Sequence, residues 1–199
     1  MYSVKKASMV IECAFDKEWE KAEVARVETE NWEGITKVHN VIAQLLYSEK
    51  GLHVRMETDE KPLRITQTER NSAVCEDSCM EFFFKGNKDS DKYMNFEFNA
   101  MGTMYLNFRT GRYDGEPPVE NADYFGVQST ITPEKWVLFY TIPFEFLEKY
   151  FGSYTKEMLG NFYKCGDLTG KKHYQTFYPI NTVKPDFHRP EFFGKIVLE

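Results

Sequence analysis

The sequence predicts an all-β protein, an antiparallel β-sandwich formed as one domain over residues 1–199. Three observations lead there. Short apolar or alternating runs rich in Phe, Tyr, Val and Ile recur along the chain with turn residues between them, the pattern of consecutive antiparallel strands. The clearest of these runs alternate strictly, as a half-buried strand does. Helical spacing is clear in only one segment, and the length of 199 residues fits a single all-β unit.

Taken in order, EWEKAEVARVE (18–28) fits either a short helix or a lead into a strand, since its periodicity does not decide between them. VIAQLLY (41–47) and LHVRMET (52–58) flank SEKG and read as a hairpin. MEFFFKG (80–86) follows. YMNFEFN (93–99) then sets Met94, Phe96 and Phe98 on one face and Tyr93, Asn95, Glu97 and Asn99 on the other. After a turn at AMGT, MYLNFR (104–109) places Met104, Leu106 and Phe108 opposite Tyr105, Asn107 and Arg109. GRYDGEPPVENADYFG is the main loop, marked by two prolines, acids and glycine. Strands are expected again at FGVQSTI, KWVLFYTI, GNFYKC, HYQTFY and FGKIVL. The helix is FEFLEKYFG (144–152), with Phe144, Leu147 and Phe151 at helical spacing and Gly152 as its stop.

Composition narrows the function. The formal net charge is −6 and the cations are not clustered, which argues against nucleic acid and against an anionic membrane surface as partners. No run approaches the roughly 18 apolar residues of a spanning helix, and the opening MYSVKKASMVIECAF is too mixed for a signal h-region. The expectation is a cytoplasmic chain or the mature form of a secreted one. Cys13, Cys75, Cys79 and Cys165 read as free thiols, because residues four apart on a strand lie about 13 Å apart and cannot be bridged.

The stretch DSCMEFFF (77–84) raises the functional question, since it carries the acid Glu81 among phenylalanines. If 80–86, 93–99 and 104–109 form a meander, Glu81 lies opposite Met80, Phe82 and Phe84. It then shares a face with Asn95, Glu97, Asn99, Tyr105, Asn107 and Arg109. Such a face is either ordinary solvated sheet or a binding surface, its carboxamides and arginine suiting hydroxyls and carboxylates. On this reading Glu81 is a partly open acid and not a core one.

Several stretches match one family. EDSCMEFFF resembles the D-S-C-V-E-F-F stretch of carbohydrate-binding module family 9-like domains. KWVLFYTIPFEFL is similar to their W-x-x-E-x-x-I-P-F-x-x-L segment, and GNFYKCGD to their N-F-Y-R, with Lys164 in place of Arg. HYQTFYPI resembles H-F-x-S-W-x-P-I, DFHRPEFFGKIVL their F-H-x-P-E-x-F-G ending, and DKEWEKAE their opening D-x-x-W-x-x-A. Order and spacing agree from about residue 10 to the C-terminus.

The resemblance implies an immunoglobulin-like sandwich that binds a mono- or oligosaccharide without cleaving it, usually beside glycoside hydrolases and often with structural calcium. It also implies a sugar held between two tryptophans, with Glu81 among the bonded charges. Here Val74, Cys75 and Glu76 precede the D-S pair, and the second tryptophan position falls at Phe177, beside Tyr178. The expected ligand-binding set is Glu81, Asn99, Tyr105, Arg109, Asn161, Phe177 and Tyr178. Glu81 and Arg109 would bond hydroxyls, Asn99 and Asn161 would orient the sugar, and Tyr105, Phe177 and Tyr178 would offer stacking surface.

Other constellations compete with this reading. Asp77 with Glu81, or Glu81 with Glu97, could serve a glycoside hydrolase as paired carboxylates. Related sandwich domains bind haem, and Met80, Met94, Met101 and Met104 gather in this region, although core filling is the ordinary role of methionine. Asn87, Asp89 and Asp91 alternate in GNKDSDKY and are the calcium candidates; the same residues suit a hairpin tip. His188 reads as a structural imidazole beside a Pro190 turn.

Overall fold

Strand alternation over most of the chain builds a curled sheet of two layers. The structure, a computed structural model, describes residues 1–35 and 37–199. Its strands are β1 (Tyr2–Lys6), β2 (Ala25–Arg26), β3 (Val41–Tyr47), β4 (Gly51–Thr58), β5 (Cys79–Lys85), β6 (Tyr93–Asn99), β7 (Met104–Arg109), β8 (Gln128–Ile131), β9 (Trp136–Pro143), β10 (Glu157–Gly166), β11 (His173–Thr176) and β12 (Gly194–Leu198), with helix α1 (Phe144–Phe151) between β9 and β10. Their order is β7-β6-β5-β10-β12-β1-β3-β4-β9-β8, with β11 on β10 and β2 on β3. The path turns from one layer into the other at β1. Tyr2–Val4 pair with β12, and Lys5 and Lys6 pair with β3, both in parallel register. All other pairings are antiparallel, as expected.

The period-2 pattern decides what each layer buries. Phe82, Phe84, Met94, Phe96, Phe98, Leu106 and Phe162 meet Ala43, Leu45, Val54, Met56, Leu138 and Tyr140 in one core. Helix α1 closes one end of it, Phe146 lying at 5.0 Å from Phe125 and 6.1 Å from Phe96. The helix stops at Gly152, in the left-handed conformation (φ 72°) that a glycine C-cap adopts. Met80, Met94 and Met104 are core filler and Met101 is exposed, so the methionines do not gather around a haem position. The 18–28 stretch takes both of its possible forms in turn. Lys17–Lys21 is a 3-10 turn capped by the Asp16 carboxylate, and β2 follows.

The outer faces are covered, and this corrects the expectation of a half-wet sheet. Ala7, Ile11, Ala14, Trp19 and Ala22 pack over Leu46, Val137 and Phe139 on one side. On the other, Trp32, Val74, Ile180, Phe187 and Phe193 pack over Cys79, Phe83, Tyr93, Tyr163 and Cys165. The cause lies in the outer face itself. Phe83, Tyr93 and Tyr163 alternate with its polar residues and carry too much apolar area to remain in water. The Phe187 ring stacks on Tyr163 at 4.2 Å, and the His188 ring lies 5.0 Å from Phe83.

Candidate ligand-binding cleft

Glu81 lies in β5 between Glu97 of β6 and Tyr163 of β10 in the strand register. The covering loops leave an opening above it. This cleft of about 350 Å³ is lined by Glu81 and Glu97 on the floor and by Cys75, Cys165 and Asp167 beside them. Arg112, Tyr113, Tyr174 and the 185–188 segment form its walls. Arg112 binds Asp186 at 2.6 Å, joining the loop after β7 to the segment before β12. Tyr113, beside it at the mouth, is 97 % exposed. The Tyr174 hydroxyl donates to the Asp167 carboxylate.

The floor is unusual in its electrostatics. Glu81 is only 2 % exposed, which corrects its expected place on a partly open face. Among the described residues no N–H or O–H donates to its carboxylate and no cation pairs with it; the Cys79 thiol is its near neighbour. Glu97 accepts from Asn95 Nδ2 at 2.8 Å and likewise has no ion pair. The Cys79 sulfur and carboxylate oxygens of Glu81 and Glu97 lie within 4.8 Å of one another. Burial, and then the Glu97 and Asp167 charges, push the Glu81 carboxyl well above its usual range. Burial raises Glu97 to about 7. His188 does not compensate these acids: burial lowers it to about 3, and its Nδ1 meets the Tyr93 hydroxyl at 2.8 Å. That hydroxyl is the hydrogen-bond partner of this imidazole.

Of the expected binding residues, the structure brings Glu81 alone into the cleft. Asn99 donates to Gln67 O and Asp77 Oδ2 and accepts from the Met101 and Thr103 amides. All its hydrogen-bonding capacity therefore goes to holding a turn. Asn161 donates to Tyr178 O and accepts from the Phe162 and Tyr178 amides. Phe177 turns towards the main core, against Tyr2 and Phe162. The Tyr178 hydroxyl donates to Lys195 O, away from the cleft. Arg109 and Tyr105 stand behind the cleft wall. Arg109 donates to the Tyr105 hydroxyl at 2.7 Å and to Arg112 O at 3.1 Å. Asp77, one of the paired-acid candidates, instead anchors the 66–67 backbone. Burial alone would raise its carboxyl, but bonds from Gln67, Thr66 and Asn99 hold it below the usual range.

The residues missed come mostly from loops. Arg112, Tyr113, Asp167, Asp186 and Phe187 carry no periodic signal, and only the turn-rich GRYDG pointed to a loop there. Glu97 was legible, because strand pairing sets it opposite Glu81. The calcium candidates lie in the β5–β6 turn. Asn87 Oδ1 accepts from the Asp89 amide, and Asp89 faces Lys88 Nζ at 3.8 Å. The Asn87 oxygen thus holds the turn itself.

Comparison with known proteins gives three findings. The model of a family described as carbohydrate-binding family 9 matches residues 11–198. Among curated proteins none matches significantly. Among solved structures, a candidate carbohydrate-binding protein from Bacteroides uniformis superposes with a TM-score of 0.88 at 24 % identity, over 99 % of this chain and 98 % of its own. A family 9 module from Caldicellulosiruptor kristjanssonii in complex with glucose aligns at 0.65 and 14 % identity, over 99 % and 94 %. In complex with cellotriose, such a module from the same organism aligns at 0.67 and 15 % identity, over 100 % and 93 %. These likenesses show the sandwich fold.

Proposed function

We propose, from the premise that the chain belongs to carbohydrate-binding family 9, that it acts as one non-catalytic binding domain over residues 1–199 and takes its saccharide in the Glu81 cleft. The observation that carries this is the Glu81 carboxylate. It is nearly buried, receives no N–H or O–H from the described residues, and opens only into the cleft. An acceptor so placed is costly unless a ligand supplies donors, and sugar hydroxyls do so. The Arg112 guanidinium and Asp167 add polar groups at the walls. Tyr113 and Tyr174 supply aromatic surface in the cleft, in a chain that has Val74, Cys75 and Glu76 before the D-S pair and Phe177 at the second tryptophan position. The two kinds of ligand seen with the Caldicellulosiruptor modules, glucose and cellotriose, are the first to try.

Calorimetry with these two sugars tests the reading. Tyr113→Ala should weaken binding about 10-fold, through lost stacking on an exposed ring whose removal leaves the core intact. Glu81→Gln should weaken it by about 1–3 kcal/mol. Wild-type affinity in both variants would place the sugar elsewhere. Hydrolysis is outside the proposal. Glycosidase acids flank the scissile bond from two sides, whereas Glu81 and Glu97 stand side by side on one floor. Aryl glycosides should remain uncleaved over long incubation.

A further inference from the structure

The neutral-sugar reading leaves one feature of the cleft unexplained, namely its surplus of negative charge. Four acids line it, Glu81, Glu97, Asp167 and Asp186, against one arginine. That arginine, Arg112, is bound to Asp186 at 2.6 Å. Asp167 accepts from the Tyr174 hydroxyl. Arg109, the other guanidinium nearby, is directed to Tyr105 and to Arg112 O. Glu81 and Glu97 are left with no ion pair among the described residues, 2 % and 6 % exposed, with carboxylate oxygens inside a 4.8 Å cluster.

A pair of buried carboxylates without a cation is among the least favourable arrangements a protein can hold. Protons relieve it: burial raises both carboxyls, and the Glu97 charge raises Glu81 further. A neutral sugar brings hydroxyl donors but leaves the charge in place. An ammonium brings a unit charge and three donors, enough to reach both carboxylates at once. We infer that the preferred occupant is a sugar carrying a free protonated amine, an amino sugar, seated with its ammonium between Glu81 and Glu97. The inference rests on the carbohydrate reading of the cleft and adds the ligand's charge to it. A metal ion is the rival cation. It is disfavoured because the third group in the cluster, Cys79, is a fully buried thiol that burial and the two acids hold protonated, and because two carboxylates fall short of the oxygen shell a hard cation needs.

Calorimetry on the full chain at neutral pH compares glucose, glucosamine, N-acetylglucosamine and cellotriose. N-acetylglucosamine keeps the same ring and carries a neutral amide. Glucosamine should bind about 10-fold more tightly than glucose and N-acetylglucosamine. In Glu97→Gln that preference should fall to about 2-fold or less; Glu81→Gln serves as the second variant, with thermal melting as the folding check on both. Equal binding of the three monosaccharides would overturn the inference and leave the carbohydrate reading standing. Failure of every sugar to bind would overturn both. Zinc or calcium binding that competes with glucosamine and disappears in Glu81→Gln would overturn it in favour of a metal. The comparison among sugars decides even if neither variant folds.

Discussion

Glu81 and Glu97 carry the residue-scale chemistry, and their stability effect has a definite sign. For Glu97 the folded value, about 7, lies above the ordinary glutamate value of 4.5. A raised carboxyl contributes stability that is fully present below about pH 4.5 and is lost as pH rises through about 7. Glutamine keeps the acceptor for Asn95 and removes the charge. Glu97→Gln should therefore melt with the wild type near pH 4 and be more stable near pH 8, by about 1–3 kcal/mol, read from paired melting curves. Glu81→Gln should shift the same way, since burial and the Glu97 charge raise its carboxyl too. A lower melting temperature near pH 8 in both variants would show that the acids are compensated in a way the cleft does not reveal. The alternation DSCMEFFF assigned Glu81 to its face correctly. Its burial was not legible, because loops distant in sequence close over it.

At the scale of the element, β10 joins the two environments. Its Tyr163 and Cys165 look towards the covered outer face, while Lys164, at 0 % exposure, points the other way. Lys164 Nζ meets Glu60 Oε2 at 2.7 Å, Cys165 O at 2.9 Å and His173 Nε2 at 3.0 Å. Its three donors are therefore all engaged. Lys164→Met would strand the buried Glu60 carboxylate and should cost about 3–5 kcal/mol in denaturant unfolding; adding Glu60→Gln should recover much of that. Glycine has a specific role at the β10–β12 pairing, where Gly194 lies under the Tyr178 ring and a Cβ would run into it. Gly194→Ala should cost about 1–3 kcal/mol and leave sugar affinity unchanged, because Tyr178 stands outside the cleft. A large affinity loss in this variant would return Tyr178 to the binding surface.

Two properties belong to the whole molecule. The four cysteines are free, and Cys79 and Cys165 are buried. Cys75 lies in a short 3-10 turn and not on the strand with Cys79, so the strand-spacing argument against a bridge does not describe this pair, although both carry free thiols. All four should react in denaturant without reductant, and Cys79 and Cys165 should stay unreactive in the native state; fewer than three reactive thiols would contradict this. The second property is acid sensitivity. Burial lowers His53 and His173 to about 4 and His188 to about 3. Depressed histidines contribute stability that is present above about pH 6.5 and lost as pH falls towards about 4. Glu97 acts in the opposite direction between about pH 4.5 and 7, and Glu81, raised by burial and the Glu97 charge, acts in the same sense as Glu97. Melting of the double variant Glu81→Gln/Glu97→Gln should thus fall more steeply on acidification than that of the wild type.

The sequence by itself determined the strand content, the α1 segment, the inward set of Phe and Met side chains and the family, because period-2 alternation and local motifs are written in neighbouring residues. It missed β1, whose short YSVKK run is too mixed to stand out and which is held in place by β12 and β3 from the far ends of the chain. The tertiary structure alone decided which polar residues are available to a ligand. Asn99, Asn161 and Arg109 share residue types and faces with binding groups, yet their partners are backbone and side-chain groups brought from elsewhere in the chain. Hydrogen-bond satisfaction is a long-range property. Glu81 differs from them only in that the folded chain leaves its carboxylate without a strong donor, and no local pattern can specify a partner's absence.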